Sequence, residues 1–255
     1  MANRLPFSET TPAARVWAAG VLMTAATLVA PGYLQADTHS AAASPSAVSA
    51  SEVVLYEAGV HYEELLVPVS TNDPDKVEVV EMFSYLCIHC FNFDAAVSEW
   101  ASRQEDGVAF NRIPAIFSKD WAILAQAFYT AEALGVSDKV HDPIFEAVHT
   151  FKQDVRNTDA LAELFERVAG VEKQAFLKAY NSFSVRSKVQ QANSRARQVR
   201  LQSVPTLVVN GKYKTNSSMA GTNVGMLQVV DFLIKKEQAA AASAEAPKAP
   251  AASSE

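Results

Sequence analysis

Two cysteines stand three residues apart in Phe83-Ser84-Tyr85-Leu86-Cys87-Ile88-His89-Cys90, where an apolar strand pattern gives way to a helical one. A strand, a tight turn and a helix N-terminus put the first sulfur at the positive end of a helix dipole, where a thiolate is favoured. Cys87 is therefore the expected nucleophile. Cys90, one helical turn further on, is the expected shielded, resolving thiol. As a staple the pair would close a ring containing almost no chain and add little loop-closure stabilisation, so redox chemistry explains the spacing better than architecture does. A zinc site needs four ligands, and no third Cys or closely spaced second His supplies them. His89, between the thiols, can lend a hydrogen bond or a positive charge to the Cys87 thiolate. The helix terminus is expected to stabilise that thiolate most and His89 second.

The chain ends point to export. Arg4 and Arg15 precede an apolar run from Val16 to Ala30, closed by Pro31-Gly32, so residues 1–36 read as a signal peptide cleaved after Ala36. Residues 37–52, rich in Ala, Ser and Thr, read as a flexible leader, and 237–255, rich in Ala, Pro and Ser, as a disordered tail. Export places the cysteine pair in a compartment where disulfides persist. A net charge of -6 offers no attraction to nucleic acid.

Between these ends, Val77 to Phe83 reads as a buried strand leading into the cysteine turn. Glu81, six residues before Cys87, either points outward or is a buried acid with a raised pKa that relays a proton to Cys90. A helix runs from the cysteines toward Gln104, and Val108 to Ile113 forms a second strand. Helices follow: one capped by Ser118 and closed by Gly135, one capped by Ser137 or Asp138 with Pro143 disturbing its first turns, one from Asn157 or Thr158 to Gly170, and one before Ser182. A long helix from about Val185 to Leu201 carries Arg195, Arg197 and Arg200 as a solvated face. Asn210-Gly211 marks a two-residue type I′ hairpin. Pro205 opens the preceding strand in trans, or occupies a special turn as a cis residue. The last helix, Gly221 to Ile234, turns Val224, Leu227, Val230 and Leu233 inward. Residues 53–116 and 188–236 thus form a mixed α/β domain interrupted by a helical domain at 117–187.

With Glu81-Met82-Phe83-Ser84-Tyr85-Leu86-Cys87-Ile88-His89-Cys90, Ala133-Leu134-Gly135-Val136-Ser137-Asp138-Lys139-Val140, and Val204-Pro205-Thr206 followed by Val209-Asn210-Gly211-Lys212-Tyr213, the chain resembles the DsbA family of exported thiol-disulfide oxidoreductases from about Tyr56 to Ile234. The resemblance implies an α/β thioredoxin fold with an inserted all-helical domain. It implies that Cys87 is the exposed sulfur, Cys90 its buried partner, Glu81 the family's buried acid, and Pro205 a cis proline that lines the client groove with Val204 and Thr206. Two departures stand out. Arg112 occupies the place of a family lysine and cannot surrender its proton, and Ile88 replaces a frequent proline. The implied activity is introduction of disulfides into unfolded, cysteine-containing exported proteins by a monomer. Reoxidation falls to a quinone-linked membrane oxidase of the DsbB type, and no cofactor or metal is needed beyond the Cys87-Cys90 disulfide. Competing readings are a disulfide isomerase or reductase of the same fold and a Cu(I) carrier using both sulfurs, although the five Met are scattered.

Overall fold

All seven residues of Val77–Phe83 are buried, which requires cover on both faces of the sheet, as their near-continuous apolarity suggests. The computed structural model describes residues 56–245; the expected signal peptide and leader, and residues 246–255, lie outside them. In chain order come Glu63–Glu64 (β1), Val77–Phe83 (β2), Ile88–Ser102 (α1), Val108–Pro114 (β3), Lys119–Leu134 (α2), Ser137–His149 (α3), Thr158–Ala169 (α4), Lys173–Tyr180 (α5), Phe183–Gln198 (α6), Thr206–Val209 (β4), Tyr213–Asn216 (β5), Ser217–Ala220 (α7) and Asn223–Glu245 (α8).

The strands form one sheet in the order β1-β5-β4-β2-β3. β2 and β3 run parallel with Glu81 opposite Arg112, while β2 and β4 run antiparallel with Met82 opposite Thr206. The two-residue period divides β2 between two cores. Val77 and Val79 pack with Phe93, Val97 and Trp100 of α1 and with Met226 and Leu233 of α8. Val80 and Met82 pack with Ala196 of α6 and with Val199. At its C-terminal end the strand leads into a third core, where Phe83, Tyr85 and Cys90 join Leu124, Phe128, Ile144 and Phe145 of the inserted helices. The redox turn is thereby built on the seam between sheet and insertion.

Local signals explain most helix ends. Ser118, Asn157 and Ser182 accept from the N–H groups of Trp121, Ala160 and Val185, and Gly135 and Gly170 close α2 and α4 in the left-handed region. The start of α3 differs from expectation. Its N-cap is Val136, so Ser137 and Asp138 already lie in the first turn; the Val136 N–H still closes α2 on Ala131, leaving no room for a separate cap. Pro143 sits inside a continuous α3, where its missing N–H deprives the Lys139 carbonyl of a helical partner.

Asn210 and Gly211 both have positive φ, 49° and 61°, and Lys212 N–H donates to the Val209 carbonyl at 2.9 Å, as a type I′ turn requires. Val209 pairs with Tyr213, so Lys212 is one residue more than the expected two-residue loop. Gly211 is needed twice over, since a Cβ there would also collide with the Val69 carbonyl.

Three expectations are corrected. α8 continues to Glu245, so residues 237–245 of the expected tail are helical. The run Ala239 to Ala242 is the strongest helix-forming composition available, and the buried Glu237 pins the helix to the hairpin by accepting from Lys212 at 2.6 Å and Tyr213 at 3.0 Å. Val224 is exposed rather than inward, and Met226 and Val229 are buried in that helix instead. Arg195 is not part of a solvated face: its guanidinium is paired with buried Glu78 at 3.1 Å. Among the described residues no helix is long and apolar enough to cross a membrane.

Candidate active site

Ser84 shapes the turn that delivers the first sulfur. Its carbonyl accepts from Cys87 N–H at 3.0 Å and its hydroxyl from Leu86 N–H at 3.2 Å. Cys87 becomes the N-cap of α1 with an extended backbone, half-buried, while Ile88 and His89 are exposed and Cys90 is fully buried. Both thiols are free.

Their environments drive the two thiols apart. Cys87 is pulled down to about 6, first by a hydrogen bond from the Cys90 thiol, against the opposing effect of burial, and then by the N–H groups of Cys90 and His89 and the charge of His89. The Cys87 side chain makes no ordinary cap to the backbone; those N–H groups act on it as the longer-range positive end of the helix. Cys90 is pushed far above the ordinary thiol range by burial, then by the hydrogen bond and charge of Cys87. The pair titrates as a unit, with the first negative charge resting on Cys87. The order of causes differs from the sequence expectation, because the hydrogen bond from Cys90 precedes both the helix terminus and His89.

The second half of the site comes from the loop before β4. Val204-Pro205 is cis, and the Val204 carbonyl oxygen lies 3.5 Å from Cys87 Sγ, across 117 residues of sequence. Pro205 and Thr206 are buried, and the Thr206 hydroxyl donates to the Ser203 carbonyl at 2.8 Å. Of this loop, the half-buried Val204 is what meets the reactive sulfur.

Behind the sulfurs lies a charged chain. Glu81, 1% exposed, accepts from Arg112 Nε at 2.9 Å. Burial raises its pKa to about 7, aided by the nearby charge of Asp94 and opposed by Arg112. Arg112 Nη2 also donates to Asp94 Oδ1 at 3.1 Å and to the Ser98 hydroxyl at 2.8 Å. The same Asp94 oxygen lies 3.0 Å from His141 Nε2, whose Nδ1 is 2.8 Å from the Tyr85 hydroxyl. Burial works to raise Asp94, but His141 and Arg112 prevail and hold it below the usual carboxylate range. Asp94, His141 and Asp142 bring ligand atoms within 4.8 Å of one another, yet both ring nitrogens of His141 are already engaged, which marks a hydrogen-bond network rather than a cation site.

Glu81, Arg112, Cys87, His89, Cys90, Val204 and Pro205 are thus brought to one end of the sheet. A family profile described as a DSBA-like thioredoxin domain matches residues 101–229. The chain is 42% identical over 182 residues to a thiol:disulfide interchange protein DsbA of Azotobacter vinelandii, covering 71% of this chain and 85% of that one. The chain belongs to the DsbA family. It superimposes on the crystal structure of Pseudomonas aeruginosa DsbA with a TM-score of 0.71 at 38% identity, covering 73% of this chain and 97% of the other. For DsbA from Xylella fastidiosa the TM-score is 0.68 at 33% identity, covering 72% and 99%. The fold is therefore the thioredoxin fold with a helical insertion, and the protein is a thiol-disulfide oxidoreductase.

Within this DsbA-family site, sequence reasoning missed Asp94, Tyr85 and His141. Asp94 had a usable signal, since it lies one helical turn after Cys90 on the same face of α1. His141 had none, because only the packing of α3 against the cysteine turn brings it there.

Proposed function

We propose that this protein is an exported dithiol oxidase acting on the cysteines of unfolded periplasmic proteins. The observation carrying the proposal is the asymmetry of the two thiols: half-buried Cys87 is drawn down to about 6, so that it is largely thiolate at neutral pH, and fully buried Cys90 is held protonated. A client thiolate attacks the Cys87 sulfur of the Cys87-Cys90 disulfide, forming a mixed disulfide as the bond to Cys90 breaks. Cys90 leaves with the electron pair and takes up a proton, for which Glu81, titrating at about 7, is the nearby source. The client's second thiol then attacks the mixed disulfide, and Cys87 departs as a stabilised thiolate. Two electrons pass from client to protein, the one proton released by the client's second thiol restores the proton that Glu81 gave to Cys90, and the client leaves oxidised. Arg112 holds Glu81 without giving up a proton itself.

The Val204 carbonyl, beside Cys87 and next to Pro205, is available to an extended client backbone once the thiol hydrogen is gone, while buried Thr206 supports the loop through its bond to the Ser203 carbonyl. The two sulfurs carry the electrons, so the reaction calls for no metal or organic cofactor. Regeneration falls to a quinone-linked membrane oxidase of the DsbB type, and residues 1–36 serve as the export signal of a monomer. A stabilised thiolate in the reduced form makes the disulfide a strong oxidant. Equilibration of the mature protein with a glutathione buffer tests the direction, since each tenfold in the constant is about 30 mV for a two-electron couple. The expected result is a protein reduced by glutathione far more readily than thioredoxin is. A thioredoxin-like potential would assign it to reductase chemistry instead.

A further inference from the structure

The inserted helices meet the charged chain of Glu81, Arg112 and Asp94 through His141. His141 projects from α3 against the rings of Phe83, Tyr85 and Phe145. Both of its nitrogens are committed, Nδ1 to Tyr85 Oη at 2.8 Å and Nε2 to Asp94 Oδ1 at 3.0 Å. The ionised Asp94 can only accept, so Nε2 carries the proton that joins them. Tyr85 is kept a neutral phenol by burial and can donate to Nδ1 or accept from it, so the ring stays anchored whether neutral or charged. Asp94 Oδ1 is therefore shared by two donors from different parts of the fold, His141 from the insertion and Arg112 from β3. Whatever His141 takes of that oxygen, Arg112 does not have to supply.

We propose that His141 is a positioning residue for the dithiol-disulfide reaction: by sharing Asp94 Oδ1 it leaves Arg112 free to hold Glu81, and so sets how readily Glu81 exchanges a proton with Cys90. Without the imidazole, Asp94 draws the guanidinium toward itself and presents an unshared charge to Glu81. Both changes disfavour the Glu81 carboxylate and shift its titration to higher pH. The other charged groups around His141 are Asp138 and Asp142 on α3 and Glu132 on α2, which line the same cavity of about 380 Å³. None of them bonds to Asp94 or Arg112 through a hydrogen bond found in the structure, so none substitutes for the imidazole. The inference rests on Glu81 serving Cys90.

The test follows the Glu81 carboxyl by carbon-13 resonance in the reduced protein, together with the glutathione equilibrium across the neutral range, for wild type, His141→Leu and His141→Gln. Gln places an amide donor where Nε2 stood; Leu fills the space and donates nothing. In His141→Leu the Glu81 midpoint should move upward from about 7, and the neutral inflection of the equilibrium should move upward with it. His141→Gln should return both toward wild type. An unmoved midpoint in His141→Leu, or equal displacement in Leu and Gln variants, overturns the assignment. Should His141→Leu not fold, Asp94→Asn replaces it: removing the shared carboxylate should move the Glu81 midpoint downward while His141→Gln leaves it near wild type, and an unmoved midpoint in Asp94→Asn is the overturning result. Glu81→Gln separates the two levels. If it removes the neutral inflection of the equilibrium while His141→Leu changes nothing, only the His141 inference fails; if the inflection survives in Glu81→Gln, the Glu81 reading fails and the His141 inference with it.

Discussion

Glu78 and Glu81 stand three residues apart on β2, each 1% exposed, on opposite faces of one sheet. Glu78 is saturated with donors: the backbone and side-chain N–H groups of Asn72, the Asn111 amide at 3.2 Å and the Arg195 guanidinium at 3.1 Å. Among the described residues Glu81 receives only Arg112 Nε, whose guanidinium it shares with Asp94. The first carboxylate ties together the segment before β2, the sheet and α6. The second, under-supplied and beside a competing anion, is pushed up to about 7. Burial alone does not make a carboxylate structural or chemical; the supply of donors decides.

The largest expected effect lies at the sulfurs toward which we propose Glu81, and not Glu78, works. Cys87→Ser should abolish thiol-disulfide exchange while the Glu78 network stays intact, and Cys90→Ala should leave long-lived mixed disulfides at Cys87, visible on non-reducing gels. Turnover surviving in Cys87→Ser would reverse the assigned roles. Next comes Glu78→Leu, which strands the Arg195 guanidinium and two amides. Removing one partner of a buried pair costs about 3–5 kcal/mol, to be read from urea unfolding, whereas exchange per folded molecule should not change. A loss below about 1 kcal/mol would mean that Glu78 carries no structural weight.

The sequence made the chemistry more legible than its supports. Cys87, Cys90, the Asn210-Gly211 turn and the caps at Ser118 and Asn157 are local signals, written in adjacent residues and found where expected. Glu81 could be placed in the strand but not on a face, because β2 is buried on both sides and its apolar pattern does not alternate. Arg195 looked like one of three solvated arginines since nothing nearby in sequence announces Glu78, 117 residues earlier. The length of α8 was hidden by composition, as an Ala-rich run is equally at home in a tail and in a helix. His141 is legible only after the insertion is packed against the cysteine turn.

The two titrating groups give the reduced protein opposed pH dependences. Glu81 has a raised folded pKa, so its contribution is fully present below the unfolded value of 4.5 and is lost as pH rises through about 7. Cys87 has a lowered one, so its contribution is fully present above the unfolded value of 9.0 and is lost as pH falls through about 6. Glu81→Gln removes the first slope and should stabilise the reduced protein above neutrality by roughly 1–3 kcal/mol, with little change in acid. Unfolding free energies measured across pH check this. A variant that tracks wild type in parallel would place the titration on another group.

The smallest effects rank the sources of thiolate stabilisation at Cys87. The Cys90 thiol hydrogen bond comes first among the lowering causes, the N–H groups of Cys90 and His89 follow, and the His89 charge is last. His89→Ser keeps the backbone N–H and deletes only that last contribution, which exposure to water also weakens. Cys90→Ala keeps the helix terminus and deletes the first. Thiolate ultraviolet absorbance against pH should therefore show the midpoint rising from about 6 in both variants, and clearly further in Cys90→Ala. A larger rise in His89→Ser would make the exposed imidazole the principal activator. The predicted order instead couples the two sulfurs: the buried thiol that resolves the reaction is also the group that makes its exposed partner reactive.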